Sequence, residues 1–255
     1  MKISIITICF NSETTIRETI ESVISQNYPD IEFIIVDGNS KDRTLKIIDE
    51  YRSNVHSFTA EPDNGIYDAM NKGLSLATGD IIGILNSDDY YSNNNVLCQI
   101  ISIFESNPEV DMVLGNVDFV KPSNLNNPVR FYSSFKFSPW KMRFGFMPAH
   151  PGAFIKRSAY QKVGKYSIDY KISADFEWFV RAFFIHKLTF NKLDRCLVRM
   201  REGGISTSGF SSYWVSSKEQ LKALKENNVY SNFLFILSRL PIKFLQKYFH
   251  KNIRS

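Results

Sequence analysis

Apolar, β-branched runs alternate with amphipathic stretches through the first half of the chain. Five runs predict strands: "KISIITICF", "IEFIIVDG", "HSFTAE", "DIIGILN" and "VDMVLGNVDFV". The stretches between them repeat apolar residues every three or four positions, as amphipathic helices do. Ser12 is a candidate cap for the first of these helices. The alternation predicts an α/β fold with a doubly wound, mostly parallel sheet.

The second half of the chain has a less regular pattern. "KPSNLNNPV" predicts a loop, and "REGGISTSG" predicts a second, flexible loop. Helices are predicted over "ADFEWFVRAFFIHK" and "YWVSSKEQLKALKENN".

Charge and cysteine content narrow the class of protein. The net charge is +5, and no acidic residue follows Glu226. The basic residues after that point are Arg239, Lys243, Lys247, Lys251 and Arg254. They account for the whole excess, so the pattern indicates a local basic tail and no nucleic-acid partner. Three distant cysteines without metal-ligand spacing are typical of a reduced, cytoplasmic protein.

Polar residues follow four of the predicted strands directly. They are Asn11, Asp37, Asp63 and the adjacent pair Asp88 and Asp89. Because ligands of doubly wound sheets bind beyond the carboxyl ends of the strands, these residues are expected to converge on one crevice.

The adjacent carboxylates of Asp88 and Asp89 have two interpretations. Their hard oxygen donors suit Mg²⁺ or Mn²⁺, ions that also coordinate substrate phosphates. The structural alternative is a cap on the helix predicted from Asn94 or Asn95. The sequence lacks the glycine-rich phosphate-binding motifs of dinucleotide oxidoreductases, P-loop proteins and nucleotidyltransferases.

Two long segments carry a resemblance to a known family. "SIITICFNSETTIRETIESVISQNYPDIEFIIVDGNSKDRT" and "EPDNGIYDAMNKGLSLATGDIIGILNSDD" resemble the inverting, non-processive family 2 glycosyltransferases of bacterial O-antigen, capsule and exopolysaccharide assembly. The resemblance resumes at "HPGAFIKRSAY", "SADFEWFVR" and "GGIS". It implies the GT-A fold: a Rossmann-like nucleotide-sugar-binding half (residues 1–120), an acceptor-binding and catalytic-base half (121–210) and C-terminal helices (211–255).

The resemblance implies donor-binding and metal-binding residues. Asp89 and Asp88 correspond to the family's D-x-D metal motif, with Asp88 also near the ribose or sugar, and Asn86 stands where many relatives have Asp. Asp37 would accept a hydrogen bond from the base, usually uracil. The other residues implied for the nucleotide-sugar pocket are Thr7, Asn11, Asp63, Asn64, Asp68, Asn71 and Lys72.

Asp175 in "SADFEWF" is the general base that the resemblance favours. Glu177 is the rival, and two residues that far apart on a helix point in different directions. An N-terminal cap is the structural alternative for Asp175.

Three further residues are candidates for the site. His150 in "PAHPGAF" is a candidate contact for metal, phosphate or acceptor, or else a structural loop residue. Arg199 and Arg201, with the "EGGIS" loop, would clamp the diphosphate, or else form a solvated basic strand.

The segment from residue 232 to 255 combines phenylalanine and leucine with basic residues. It carries too many charges, and Pro241, to favour a membrane span. Its composition favours a helix on an anionic leaflet and hence a peripheral position on the inner face of the cell membrane. Packing on the core or in a homodimer is the alternative.

Together these features predict a glycosyltransferase dependent on Mn²⁺ or Mg²⁺. It would move one sugar from a nucleotide-diphospho-sugar, a UDP-sugar by resemblance, to a hydroxyl of a lipid-diphosphate-linked glycan. The competing hypothesis is a non-catalytic nucleotide-sugar-binding or membrane-associated scaffold protein.

Overall fold

A computed structural model describes residues 1–203 and 210–239 of the chain. The strands are β1 (Ile3–Cys9), β2 (Ile31–Asp37), β3 (Ser57–Ala60), β4 (Ile81–Ile84), β5 (Tyr90–Tyr91), β6 (Met112–Lys121), β7 (Asn124–Tyr132), β8 (Ala153–Lys156) and β9 (Phe190–Arg201). The helices are α1 (Ile16–Ile24), α2 (Thr44–Glu50), α3 (Ile66–Leu76), α4 (Val96–Ser106), α5 (Arg157–Val163), α6 (Ala174–Val180), α7 (Phe210–Glu226) and α8 (Phe233–Leu237). A π-helical turn, Arg181–Ile185, continues α6, and 3₁₀ turns cover Arg52–Asn54, Pro139–Phe144 and His150–Gly152.

The strands form one sheet in the order β3-β2-β1-β4-β8-β6-β9-β5, with β7 paired to β6. The four strands from β3 to β4 are parallel, as the sequence predicts. β8 then inserts antiparallel between β4 and β6, and β9 runs parallel to β6. The predicted α/β class is confirmed, with a parallel half joined to a mixed half.

Helices cover both faces of the parallel half. Ile6 and Ile8 of β1 belong to a core shared with α3 and α6, whereas Ile3 and Ile5 belong to a core shared with α1 and α4. Successive side chains of a strand point to opposite faces, so β1 must be apolar throughout to bury both. Its parallel neighbours β2 and β4 end at the same edge as β1, and that edge positions the site.

Two local predictions are wrong. The segment predicted as a loop, "KPSNLNNPV", contains most of β7, which pairs with β6 through an irregular register that includes Pro128. Its polar, exposed sequence hides the strand, because the pairing comes from the backbone and not from an apolar face. Ser12 does not cap α1 with its side chain: the helix starts at Ile16, and the Ser12 hydroxyl lies 2.8 Å from that of Ser87.

The predicted C-terminal helix is only partly within the described residues. α8 covers its start and is capped by Asn232, whose Oδ1 accepts a 3.0 Å hydrogen bond from the Phe235 amide. Residues 240–255 lie outside the described part of the chain. Within residues 1–203 and 210–239, no helix is both long and apolar enough to cross a membrane.

α3 lies close against the sheet because one of its residues has no side chain. A Cβ placed on Gly73 would come within 2.3 Å of Cγ2 of the fully buried Ile6 on β1. The β3–α3 loop and Tyr67, both described below, are therefore held at a fixed distance from the ends of the parallel strands.

Gly73→Ala tests this contact. Alanine favours a helix over glycine by about 1 kcal/mol, but the overpacking against Ile6 costs about 1–3 kcal/mol. We expect a net loss in the free energy of unfolding, measured by urea denaturation. In an Ile6→Ala background the same substitution is expected to be neutral or stabilising; an equal loss in both backgrounds would contradict the contact.

Candidate active site

The turn after β4 places Asp88 and Asp89 at the carboxyl edge of the parallel strands. The Asp89 amide donates to the Asn86 carbonyl at 3.0 Å, which closes the turn. From α1, the Thr19 hydroxyl contacts the carbonyls of Ser87 and Asp89 at 2.9 and 2.7 Å. Neither aspartate caps α4, because β5 intervenes and the cap position of α4 is Asn95. The helix-cap interpretation of the pair is wrong.

The two carboxylates are held in an environment that disfavours their charge. Asp89 is buried and Asp88 is half-buried. Burial raises the pKa of both groups, and for Asp89 the neighbouring Asp88 charge raises the pKa further. Arg201 opposes this effect only in part, since its Nη1 donates to the Asp88 backbone carbonyl at 2.8 Å. A bound cation would stabilise the ionised carboxylates and so counteract both the burial and the repulsion that raise the pKa.

The oxygen donors at this turn fit a hard divalent ion. Asn86 Nδ2 donates to Asp89 Oδ2 at 3.3 Å, while the buried Asn86 Oδ1 has no hydrogen-bond partner among the described residues. Two carboxylates and an amide oxygen are the ligand type that Mg²⁺ and Mn²⁺ prefer. In the described part of the chain, no three His, Cys, Asp or Glu side chains form a metal-binding group. Mg²⁺ is usually held by one or two carboxylates together with waters and substrate phosphates, and the oxygens of this turn fit that pattern.

The loops after β1, β2 and β3 meet at the same edge, as predicted. Asn11, in a left-handed backbone conformation with φ of 49°, receives the Lys41 amide on Oδ1 at 2.8 Å. A Cβ on Gly38 would come within 2.5 Å of Asp63 Oδ2, so the β2–α2 turn touches the β3–α3 loop. Contacts between Ser12 and Ser87 extend this set of loops to the turn after β4.

Thr7 and Asp37, which are predicted to contact the nucleotide-sugar, are both fully buried and face the protein interior. Thr7 lies inside β1, not at its end, and its hydroxyl has no partner among the described residues. Asp37 accepts from the Ser40 amide at 2.8 Å, the Ser40 hydroxyl at 2.5 Å and the Cys9 thiol at 3.3 Å. In this conformation Asp37 orients the β2–α2 turn, and neither residue presents an atom to a ligand.

The residues predicted on the β3–α3 loop and α3 separate into two groups. Asp63 and Asn64 lie in the loop, and Asp68 holds it from the first turn of α3: Asp63 accepts from the Gly65 amide and Asp68 accepts from the Asn64 amide, both at 2.9 Å. Lys72 pairs with Glu61 at 3.0 Å beside this loop. Asn71 differs, because its amide exchanges two hydrogen bonds with the Tyr166 backbone at 2.8 and 2.9 Å. Asn71 joins α3 to the second half of the chain and does not line the loop.

Asp175 stands in the first turn of α6, after the cap residue Ser173. It is half-buried, and burial raises the pKa of its carboxyl to about 6. The Tyr67 hydroxyl on α3 donates to the Ile172 carbonyl at 2.6 Å and lies 3.3 Å from Asp175 Oδ1. A carboxyl with a pKa near neutrality is suited to taking a proton.

The rival carboxylate, Glu177, is committed to a structural ion pair. It is buried and holds Arg181 through two hydrogen bonds of 2.7 and 2.9 Å. Arg181 in turn donates to the carbonyls of Val163 and Lys165, which ties α6 to the end of α5. Of the two candidates, only Asp175 remains for proton transfer.

The three remaining candidates, His150, Arg199 and Arg201, have different surroundings. His150 is buried, its Nε2 lies 2.8 Å from the Tyr166 hydroxyl, and burial lowers its pKa to about 4. A neutral ring in that setting packs the 3₁₀ turn, and His150 does not join the two aspartates in a ligand group. Arg199 donates to the Leu125 carbonyl at 3.4 Å, whereas Arg201 directly contacts the turn that carries Asp88 and Asp89, called the aspartate turn below. Of the "EGGIS" loop, residues 204–206 lie outside the described part of the chain.

Sequence reasoning missed the residues that position Asp175. Besides Tyr67, Glu219 on α7 accepts from the amides of Lys171, Ile172 and Ser173 at 2.7, 2.9 and 2.9 Å. These three amides precede α6 directly. Both positioning side chains lie more than 40 residues from Asp175 along the chain, so no local motif signals them.

Comparison with known proteins identifies the family. The model of Glycosyl transferase family 2 matches residues 4–164, which span more than half of the chain. The chain belongs to glycosyl transferase family 2. This glycosyltransferase is 33% identical over 183 residues to an uncharacterized glycosyltransferase of Mycobacterium tuberculosis, covering 71% of this chain and 68% of the relative. It is 27% identical over 225 residues to a PGL/p-HBAD biosynthesis glycosyltransferase of Mycobacterium bovis, covering 87% and 83%.

Solved structures confirm the GT-A fold of the glycosyltransferase. S. aureus TarS (residues 1–349), in complex with UDP-GlcNAc, superposes with a TM-score of 0.69 at 20% identity, covering 98% of this chain and 73% of TarS. The mannosyltransferase PcManGT of Pyrobaculum calidifontis, in complex with GDP-Man and Mn²⁺, superposes with a TM-score of 0.66 at 16% identity, covering 98% and 73%.

Glu219→Gln tests the anchor of the segment before Asp175. A neutral amide accepts more weakly than a carboxylate and turns an NH₂ group towards three N–H donors. We expect the amides of residues 171–173 to exchange with deuterium about tenfold faster or more. Glu226→Gln on the same helix is the matched control, because it alters the contact with Tyr170 and the ion pair with Lys222 but none of the three amides. Equal exchange at residues 171–173 in both variants would contradict the anchor.

Proposed function

We propose that this glycosyltransferase is metal-dependent and inverting, and that it transfers one sugar from a UDP-sugar to a hydroxyl of a lipid-diphosphate-linked glycan. The proposal extends to bacterial surface polysaccharide assembly at the inner face of the cell membrane. One observation carries it: Asp175, a carboxyl of raised pKa, contacts Tyr67 in the first turn of α3. α3 follows one of the loops at the sheet edge where Asp88 and Asp89 lie.

Asp175 acts as the general base. The acceptor hydroxyl attacks the anomeric carbon on the face opposite the leaving nucleotide and loses its proton to the Asp175 carboxylate. The Tyr67 hydroxyl and the amides held by Glu219 fix the orientation of that carboxylate before the acceptor arrives. A single displacement inverts the anomeric configuration, so an α-linked donor gives a β-linked product.

The aspartate turn serves the leaving group. Asp88, Asp89 and Asn86 would hold a Mn²⁺ or Mg²⁺ ion, whose positive charge stabilises the departing nucleoside diphosphate. Arg201, which contacts Asp88, supplies a second positive charge at that edge. Asn11, Asp63 and Asn64, on the neighbouring loops, are proposed to contact the nucleotide. Support for a nucleotide-sugar and a divalent ion comes from the complexes of the two structural neighbours.

The acceptor class rests on relatives and on the chain's own charge. The M. bovis relative is named for PGL/p-HBAD biosynthesis, and the basic residues after Glu226 suit the surface of an anionic membrane. A lipid-linked acceptor presents its hydroxyl at such a surface.

Asp175→Asn is expected to separate binding from chemistry. The amide cannot take the proton, so turnover should fall by about 10²- to 10⁴-fold while the affinity for the donor is unchanged. Transfer is followed by mass spectrometry and donor binding by calorimetry. Asp169→Asn, in the loop before α6, is the control and should leave both unchanged. Full turnover by Asp175→Asn would eliminate the base assignment.

The rate of transfer should depend on the ionisation of Asp175. Because the base must be deprotonated and its pKa lies at about 6, kcat/KM should fall as the pH drops through 6 and level off above it. Tyr67→Phe removes a hydrogen bond that lowers the pKa of Asp175, so the acidic limb should move to higher pH. The initial rate is measured across pH for both proteins; an unmoved limb would contradict the contact.

Metal binding should depend on nucleotide. With Asn86 in place of a third carboxylate, the phosphates must supply part of the charge balance, so Mn²⁺ alone should bind weakly and UDP should strengthen binding steeply. Asn86→Asp should tighten nucleotide-free binding by about tenfold. Calorimetric titration of Mn²⁺ with and without UDP measures this. Tight binding by the unchanged protein without UDP would be the opposite result.

A donor panel tests the function as a whole. Nucleotide-sugars are incubated with synthetic lipid-diphosphate-sugar acceptors, with and without Mn²⁺, and products are detected by mass spectrometry. Metal-dependent transfer that Asp89→Ala abolishes is the expected result. Donor binding without transfer or slow donor hydrolysis, across the whole panel, would favour a non-catalytic nucleotide-sugar-binding protein.

A further inference from the structure

A surface of exposed apolar side chains lies away from the site residues, on the 3₁₀ turn Pro139–Phe144, α7 and α8. The exposed fractions are 58% for Trp140, 44% for Trp214, 67% for Tyr230 and 78% for Leu234. We call these four residues, with the rings of Phe144, Phe233 and Phe235 between them, the aromatic surface. Two exposed tryptophans and a tyrosine in one region are a costly arrangement in water, so they indicate an interaction site.

Ring contacts form two groups within the aromatic surface, and each group includes a phenylalanine of α8. Trp140 contacts Phe144 with centroids 5.8 Å apart, and Phe144 stacks on Phe235 at 4.6 Å. Tyr230 contacts Phe235 at 6.2 Å. Trp214 meets α8 from the other side, 5.0 Å from Phe233. Phe233 and Phe235 are two positions apart in a helix and so point in different directions, with the exposed Leu234 between them, and α8 thereby brings the two groups together.

Basic side chains lie beside both tryptophans of the aromatic surface, whereas the acidic residues of α7, Glu219 and Glu226, accept hydrogen bonds from residues 170–173. The Lys141 and Lys218 ammonium groups lie 5.9 and 5.4 Å from the ring centres of Trp140 and Trp214. Neither segment 133–147 nor segment 227–239 contains an acidic residue. The chain leaves this surface after α8 into residues 240–255, which carry four basic residues and no acid. The complement of such a surface is anionic.

We propose that the aromatic surface binds an anionic lipid bilayer at the level of its headgroups. Tryptophan and tyrosine favour that depth because they offer an apolar ring and a polar group together, and lysine at their edge pairs with lipid phosphates. The aromatic surface shares Phe233, Leu234 and Phe235 with the segment 232–255, for which the sequence already predicts a membrane contact, and it adds Trp140 and Trp214 to that contact. The apolar rings and the basic residues together give the stable attachment that one weak contact does not. The inference rests on the proposed function in that the acceptor is lipid-linked.

The position of the aromatic surface also orients the site. α7 carries Trp214 and, five residues later, Glu219, whose carboxylate holds the amides that precede Asp175. Docking of α7 and α8 on a bilayer would therefore set the catalytic base at a fixed height above the headgroups, where a lipid-linked sugar presents its hydroxyl.

Vesicle binding by the full chain tests the proposal. The probes are phosphatidylcholine vesicles with and without phosphatidylglycerol, and the readouts are co-sedimentation and quenching of tryptophan by brominated lipid. We expect binding to the anionic vesicles, with quenching. Trp140→Ser combined with Leu234→Ser should reduce partitioning by about tenfold or more. The matched control is Ile168→Ser combined with Ile185→Ser, two side chains that are similarly exposed (58% and 52%) but outside the aromatic surface.

Three outcomes would overturn the proposal. The first is the absence of anionic-vesicle binding by the unchanged protein. The second is equal binding by the surface variant and the control variant, which would leave the C-terminal basic residues as the whole contact; Lys243, Lys247 and Lys251→Gln in the full chain would then remove it. The third is concentration-dependent self-association that Leu234→Ser alone abolishes, which would assign the surface to a second copy of the chain. Binding is measured without donor or acceptor, so failure of sugar transfer and failure of docking are distinguished.

Discussion

The site depends on holding two neighbouring carboxylates in a place where their charge is unfavourable. Asp89 is buried beside Asp88, and the pKa of each is raised. The surrounding protein fixes this turn by hydrogen bonds to the backbone of the turn. Thr19 of α1 contacts two of its carbonyls, and Arg201 of β9 donates to a third. The carboxylate oxygens of Asp88 and Asp89 thereby stay available for the divalent ion proposed above. Because the two carboxylates repel each other when nothing is bound, a cation that binds them removes this repulsion, and the relief contributes to the cation's affinity.

The second half of the site depends on contacts that cross the chain. Tyr67 and Asn71 of α3 reach the segments around Ile172 and Tyr166, and Glu219 approaches the same region from α7. α3 begins at the end of the β3–α3 loop, so one rigid helix sets the separation between that loop and Asp175. The glycine that brings α3 against Ile6 belongs to the same arrangement.

Much of this arrangement could be predicted from sequence, and the limits have physical causes. Apolar runs report burial on two faces, which is why the four parallel strands and the acidic residues at their ends were predictable. β7 was missed because its pairing is carried by backbone groups under a polar sequence. The burial of Thr7 and Asp37 could not be predicted, because a motif gives position along the chain but not the direction of a side chain. Tyr67 and Glu219 could not be found, since each acts over a long separation in sequence.

The insertion of β8 between β4 and β6 has a consequence for how the protein is made. The parallel strands β1 to β4 are complete after residue 84, but β4 and β6 meet only through residues 153–156. During synthesis, the backbone groups of β4 that later pair with β8 therefore remain unpaired while about seventy further residues leave the ribosome. Such an edge pairs readily with another chain. The order of the strands thus exposes the emerging chain to aggregation in the interval after β1 to β4 have formed.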